Sequence, residues 1–227
     1  MFRFSEPLSE LDKIIIRDNG ELLTDISKAC KHLFVRNDRE KWDICPIEDP
    51  KARKFYLRKT VALMLSEAAS FLPKNYSFLL LSAYRTIEEQ KKAYERIMEM
   101  LKKEHPEWPY HVLRREANKY VHPPDARTPP GHCTGGAVDL TVCTSEGRPI
   151  DMTSPFKWPS PEAMKVSGTY SRLISGEARQ NREILIKSMS GAGFTNYPGE
   201  WWHWSYGDSC WAYRLGKKVA IYGLARL

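Results

Sequence analysis

The sequence predicts an α+β fold in which helices flank a small, mainly antiparallel sheet. Three observations lead there. Strand-like and helix-like stretches alternate along the 227 residues without the regular period of a parallel βαβ protein. The strand candidates are short and apolar, whereas the helix candidates are long and charged. Hydrophobic residues make up 42% and charged residues 28%, an ordinary globular composition at a length that supports one sizeable core. A single domain spanning 1–227 is expected.

In chain order, residues 1–50 have no clear period and end in the turn-rich CPIEDP. They are expected to pack on the domain as an irregular N-terminal segment. Across 51–72, Phe55, Leu57, Val61, Leu63, Met64, Ala68 and Leu72 mostly recur at helical spacing, and Pro73 ends the run. YSFLLLSA (76–83) is short, apolar and bounded by turn residues, which predicts a buried strand. Two charged helices follow over 86–104 and 110–121, separated by HPEWP. Thr86 and Glu89 have the spacing of a capping box. HPPDARTPPG (122–131) holds five prolines or glycines in ten residues, so it is a rigid loop that delivers the chain into GHCTGGAVDLTV. Residues 137–142 alternate as a strand, 175–192 read as a helix, and a YPGE turn leads to an aromatic strand, WWHWSY. A last apolar segment, VAIYG, closes the pattern.

Composition excludes several classes of function. The net charge of +7 is diffuse: the most charged stretch, 86–122, mixes eight Lys/Arg with seven Asp/Glu. A nucleic-acid partner would require a basic stripe, and none is present. No run approaches the roughly 18 apolar residues of a membrane span. The first residues lack the basic-then-apolar order of a signal peptide, which points to the cytoplasm. Five cysteines without a CxxC pair argue against a disulfide framework or a thiolate zinc site. Cys133, beside His132, reads as a small buried neighbour and not as a nucleophile. His32, His105, His111 and His122 lie in charged or Pro-rich surroundings and are expected at the surface.

Chemistry concentrates in three pieces. On the 137–142 strand, Asp139 shares a face with Ala137 and Thr141, while Val138, Leu140 and Val142 share the other. A carboxylate amid such neighbours needs a partner. His132 lies seven residues earlier, across Gly135-Gly136, which let the backbone turn back on itself. Glu200 and His203 are three apart, a spacing that would split them across a regular strand. The Pro198-Gly199 turn can hold Glu200 in the bend and His203 in the strand. Two histidines and one carboxylate form a three-ligand zinc set that leaves a position open for water, and a fourth carboxylate can take that water's proton. Arg85, at the exit of the 76–83 strand, can point into a cleft and stabilise an oxyanion.

Together these pieces resemble a known family. GHCTGGAVD (131–139) resembles the S-x-H-x(3)-x-A-x-D element of the D-alanyl-D-alanine dipeptidases of the VanX type, within the peptidase family that also holds D,D- and L,D-carboxypeptidases. GEWWH (199–203) resembles that family's E-x-W-H element, in the doubled-tryptophan form of the dipeptidase branch. The resemblance implies one zinc ion per chain on His132, Asp139 and His203, Glu200 as general base and acid, and Arg85 as oxyanion stabiliser. Tyr84, Trp201 and Trp202 are expected to line the substrate pocket. It further implies the α+β fold shared with the hedgehog signalling domain, and short D-amino-acid peptides of the bacterial cell wall as substrates.

Two positions depart from the pattern. The serine expected two residues before the first histidine is Pro130. In IDMTSPFK, which resembles the segment M-x-S-x-F-D, the aspartate that receives a dipeptide's amino group is Lys157. Two ammonium groups about 4 Å apart repel by about 4 kcal/mol at an effective dielectric near 20. Either Asp151 or Glu162 substitutes, or the substrate has no free amino group there. The leading expectation is therefore hydrolysis of D-Ala-D-Ala or a related dipeptide. A carboxypeptidase acting on longer cell-wall peptides is the runner-up, and a non-catalytic zinc-containing binding module is the alternative of another class.

Overall fold

The computed structural model describes residues 6–38, 43–157 and 161–227. Helix α1 (Leu8–Leu11) and strand β1 (Ile15–Ile16) lead to β2 (Leu23–Asp25), a 3-10 turn, β3 (Phe34–Asp38) and β4 (Asp43–Pro46). The expectation of an irregular first fifty residues is corrected here. Strands β3 and β4 form one edge of the central sheet, and β1 pairs in parallel with β10 (Val219–Ala220) near the other end of the chain. FVRND carries no apolar alternation that would mark a strand. Its pairing is imposed by tertiary partners, with Phe34 and Val35 set against Leu79 and Leu80.

The helix expected from residue 51 begins later, because Tyr56–Arg58 is first claimed as strand β5 by antiparallel pairing with β2. Helix α2 (Lys59–Ser70) is then capped from a distance. A Glu21 carboxylate oxygen accepts from the Thr60 amide at 2.7 Å and the Thr60 hydroxyl at 2.6 Å. Strand β6 (Tyr76–Ser82) follows, then α3 (Ile87–Glu104), which starts with the predicted reciprocal cap of Thr86 and Glu89. Helices α3 and α4 (Tyr110–Ala117) form a hairpin around Tyr94, Leu101, Leu113 and Ala117. Their packing fixes where 118–122 returns toward the sheet. The short α5 (Gly131–Thr134) and strand β7 (Ala137–Thr144) come next, followed by α6 (Pro161–Lys165) and α7 (Gly176–Gly191). Strand β8 (Thr195–Asn196), β9 (His203–Ser205) and α8 (Ser209–Arg214) precede β10. The aromatic strand is thus shorter than expected, with Trp201 and Trp202 in the turn that precedes it.

Among the described residues the central sheet has six strands in the order β4-β3-β6-β7-β9-β8, and only β3-β6 is parallel. The mainly antiparallel α+β expectation holds. Val138, Leu140 and Val142 of β7 join Leu65, Leu185, Met189 and Trp204 in the principal core, where α2 packs on α7. Asp139, on the other face of β7, looks away from that core. No helix among the described residues is long and apolar enough to cross a membrane.

Candidate metal centre and catalytic cleft

Sheet register assembles the cluster. Asp139 pairs with His203 across β7–β9 and with Ser82 across β7–β6. A ladder irregularity between Leu80 and Ser82 ends β6, and three residues later Arg85 reaches back: Nη2 donates to Asp139 Oδ2 at 2.9 Å and Nε to Ser82 Oγ at 2.9 Å. His203 Nδ1 lies 2.9 Å from Asp139 Oδ1, and His132 Nε2 lies 3.2 Å from Asp139 Oδ2. Ligand atoms of His132, Asp139 and His203 all lie within 4.8 Å of one another. The three stretches predicted to converge do so.

Each side chain is held by the backbone around it. His132 sits on α5, and its Nδ1 lies 2.8 Å from the Ala83 carbonyl oxygen. A carbonyl only accepts, so Nδ1 carries the proton and the Nε2 lone pair faces Asp139. Gly135 ends α5 in the left-handed region, at φ +72°. Gly136 lies so close to the next strand that a Cβ there would stand 2.5 Å from the Tyr206 carbonyl oxygen. Gly136→Ala is expected to destabilise the fold by about 1–3 kcal/mol through overpacking against backbone. Gly176→Ala, where a Cβ meets nothing within 4 Å, should change stability by no more than about 0.5 kcal/mol. Urea midpoints of the two variants check this contrast.

Glu200 occupies the bend of the Pro198-Gly199 turn, as its odd spacing from His203 requires. Its amide donates to Tyr197 O at 2.9 Å, and the His203 amide donates to Glu200 O at 3.2 Å. The 166–169 segment grips both shoulders of this turn: Thr169 N donates to Pro198 O, and Trp201 N to Ser167 O, each at 3.0 Å. Buried Arg182 gathers that segment by donating to the Val166, Gly168 and Thr169 carbonyls and to Met152 O. Burial lowers the Arg182 pKa to about 10.

Electrostatics divides the acids into two roles. Burial alone would raise Asp139, but in the acid range where it titrates both imidazoles are protonated, and the His132 charge and the hydrogen bonds from His132 and His203 hold it well below the usual carboxylate range. Burial pushes His132 down to about 4, so its ring is neutral at pH 7. Burial pushes Glu200 up to about 7, with His203 and Arg85 opposing and Asp139 reinforcing the shift. Asp139 ionised and His132 neutral are in the states that metal ligation needs; His203, which burial lowers but the Asp139 hydrogen bond and charge raise on balance, would release a proton on binding, and two nitrogens with one oxygen suit zinc. The donor set present therefore fits the ion.

The raised Glu200 pKa has a stability consequence. The folded state holds this proton up to about pH 7, whereas the unfolded carboxyl releases it near 4.5. Stability of the metal-free protein should therefore fall as pH rises from about 4.5 to about 7, by up to about 3 kcal/mol from this group. Glu200→Gln should flatten that segment of the curve. Urea unfolding at pH 5 and pH 8 measures the difference.

The cluster opens into a cavity of about 220 Å³, whose wall includes Arg85, Gln90, His122, Tyr197, Trp202 and Arg214. Trp202 lines it, as expected; Tyr84 and Trp201 do not. The Tyr84 hydroxyl donates to Ala225 O at 3.0 Å, on the side of the chain opposite its neighbour Arg85. Trp201 is only 2% exposed and packs under Arg182 in the core. His122 is corrected from the surface to the cavity wall, with Nε2 3.1 Å from Thr128 O. Glu6 and Arg214 also reach the cavity as an ion pair (Nη2–Oε2 3.1 Å), which no sequence signal had marked. Lys157 is exposed and is not among the residues that line this cavity, so the ammonium repulsion expected there does not arise at the cluster. Asp151, also exposed, commits its carboxylate to the amides of Thr153 and Ser154, and Glu162 lines neither chamber of the cleft.

Residues 44–219 match the model of a family described as D-ala-D-ala dipeptidase. The chain belongs to the D-Ala-D-Ala dipeptidase family. Among curated members, it is 36% identical over 111 residues to the D-alanyl-D-alanine dipeptidase of Synechocystis sp., covering 42% of this chain and 44% of that one. It is 35% identical over 72 residues to the D-alanyl-D-alanine dipeptidase of Escherichia coli, covering 32% and 35%. The matched part spans less than half the length of either relative. Similar solved structures include VanYB in complex with D-Alanine-D-Alanine (16% identity, 72% and 80% covered, TM-score 0.43). Another is a vancomycin-resistance D,D-pentapeptidase VanY in complex with Zn(II) (14% identity, 92% and 96% covered, TM-score 0.46).

Proposed function

We propose that this member of the D-Ala-D-Ala dipeptidase family is a zinc-dependent hydrolase of D-Ala-D-Ala or a closely related D-amino-acid dipeptide. The observation that carries the reading is the placement of Glu200, a carboxyl poised to take up and release a proton near pH 7, in the same cavity as the three converging ligand atoms. His132 Nε2, Asp139 and His203 would hold one zinc ion. When bound, zinc supplies a Lewis acid that polarises the scissile carbonyl and lowers the pKa of water toward about 7.

The remaining work falls to side chains. Glu200 takes a proton from the attacking water and returns it to the leaving nitrogen, a cycle suited to a carboxyl tuned close to neutrality. Arg85 spends Nε on Ser82, one Nη2 hydrogen on Asp139 and one Nη1 hydrogen on Gln90 Oε1 at 3.5 Å. Its remaining hydrogens face the cavity and can meet the oxygen that gains charge in the tetrahedral intermediate. Trp202 forms an apolar wall that keeps bulk water from the reacting atoms. Five free thiols agree with a reducing compartment, and we place the protein in the cytoplasm, acting on cell-wall dipeptides.

A second reading, carboxypeptidase action on longer cell-wall peptides, is favoured by the continuation of the cleft beyond Glu200. Mass spectrometry of products from free D-Ala-D-Ala, its N-acylated form and L,D- and L,L-dipeptides separates the two. The dipeptidase reading expects release of D-alanine from the free dipeptide, lost with chelator and restored by zinc. Turnover confined to the acylated form would favour the carboxypeptidase, and no turnover of any D,D-substrate would contradict both.

A further inference from the structure

The cleft does not end at the metal centre. Lys119, Tyr120, Tyr197 and Glu200 belong to the wall of the small cavity and also to the wall of a second chamber of about 740 Å³. Its chemistry differs from that of the first. Met164, Tyr170, Leu173 and Pro198 supply an apolar surface, and Lys119, Lys165 and Arg172 supply three cations. Glu200 is the only carboxylate among the described residues that line it. Lys119 is balanced by Glu116, with Nζ–Oε2 at 2.6 Å, which leaves Lys165 and Arg172 as the charges on the opposite wall.

Two features mark this chamber as a binding surface. Met164, Tyr170 and Leu173 are 37%, 74% and 64% exposed, so three large apolar side chains within ten residues face one opening. Such clustering on a monomer surface is characteristic of contact sites. Within the segment that carries them, 164–173, Arg182 gathers the Val166, Gly168 and Thr169 carbonyls, and Ser167 and Thr169 hydrogen-bond the Glu200 turn, so the chamber wall is joined directly to the loop that carries the catalytic carboxyl. A dipeptide of two alanines has neither the length nor a side-chain charge to use a second chamber with this lining.

We infer that the chamber is a second substrate subsite, which takes a carboxylate-bearing residue joined to the D-Ala-D-Ala unit. The inference rests on the peptidase reading above and deepens it, from a bare dipeptide to an anionic extended peptide. The added residue can be joined through the amino end of the dipeptide or, as its C-terminal amide, through the carboxyl end; in both cases the side-chain carboxylate is what meets Lys165 and Arg172.

Binding to the zinc-loaded Glu200→Gln protein, in which turnover is slowed about 10²–10⁴-fold, tests this by calorimetry. Two tripeptide series are compared: Xaa-D-Ala-D-Ala and the C-terminally amidated D-Ala-D-Ala-Xaa, each with Glu, Gln or Lys as Xaa. In one series the Glu peptide should bind about fivefold more tightly than the Gln peptide, with Lys weakest. That series identifies the end that enters the chamber. Adding Lys165→Glu and Arg172→Glu should reverse the order. Affinities for Glu and Gln within twofold in both series, or a Glu preference that survives the charge reversal, would overturn the subsite. Hydrolysis of D-Ala-D-Ala by the unmodified enzyme is scored separately, so failure of the peptidase reading and failure of the subsite are told apart.

Discussion

Glu200→Gln should lower kcat for D-Ala-D-Ala by about 10²–10⁴-fold while one zinc ion per chain is retained. The amide is nearly the same size as the carboxyl, so the turn held by the Tyr197 and Glu200 carbonyls and by the 166–169 segment stays in place. What disappears is the group we propose accepts and returns the proton, a contribution of that size for a positioned acid–base. The metal ligands are untouched, since Glu200 is not among the three converging donors. Loss should appear in kcat and kcat/KM alike, because the interaction exists only along the reaction coordinate. Steady-state kinetics with metal analysis on the same preparation is the measurement. Activity within a few-fold of the parent, with zinc bound, would remove Glu200 from its role.

Asp139→Asn should be more damaging still, because it affects binding, charge balance and folding together. Asp139 is 7% exposed and receives His132, His203 and Arg85. An amide cannot match the carboxylate as a zinc ligand, and it leaves the half-buried Arg85 guanidinium without its counter-charge. Breaking a buried pair on one side costs about 3–5 kcal/mol. We expect zinc to be lost on dialysis, activity to fall to background, and the metal-free protein to unfold at clearly lower urea. The pH dependence follows with the opposite sign to that of Glu200. The folded pKa of Asp139 is depressed, so its stabilisation is present above 3.8 and is lost as pH falls through the folded value. The acid limb of the stability curve should therefore flatten in Asp139→Asn. A variant that keeps both zinc and stability would contradict the assigned geometry.

Much of this site was legible in the residues, for identifiable reasons. Asp139 stands out because a carboxylate on an otherwise apolar strand requires partners: the register supplies His203 from one neighbouring strand, and Arg85 reaches back from just beyond the end of the other. His132 and Glu200 are placed by glycine-containing turns whose geometry is local, and local geometry is what a sequence encodes most directly. The central strands β6 and β7 were visible as apolar runs. Strands β3 and β5 were not, since their pairing is decided by partners distant in the chain and the helical period of 51–72 overran β5.

Errors at the site have the same origin. Tyr84 adjoins Arg85 in sequence, yet consecutive residues in extended chain face opposite sides, and its hydroxyl goes to Ala225 O. Trp201 shares the doubled-tryptophan motif with Trp202 but fills the core beneath Arg182. Glu6, His122 and Arg214 reach the cavity from three separate elements whose docking no periodicity reports. The second chamber likewise arises only where 164–173, the Glu200 turn and the end of the α3–α4 hairpin meet.

X-ray absorption at the zinc edge, on protein loaded with one equivalent, probes the shared ligand set most directly. The structure predicts a shell of nitrogen and oxygen at about 2.0–2.2 Å with the outer-shell scattering of two imidazoles, reduced to one in His132→Ala. A sulfur shell near about 2.3 Å, or a spectrum unchanged by His132→Ala, would mean that zinc sits elsewhere and that the three side chains do not share an ion.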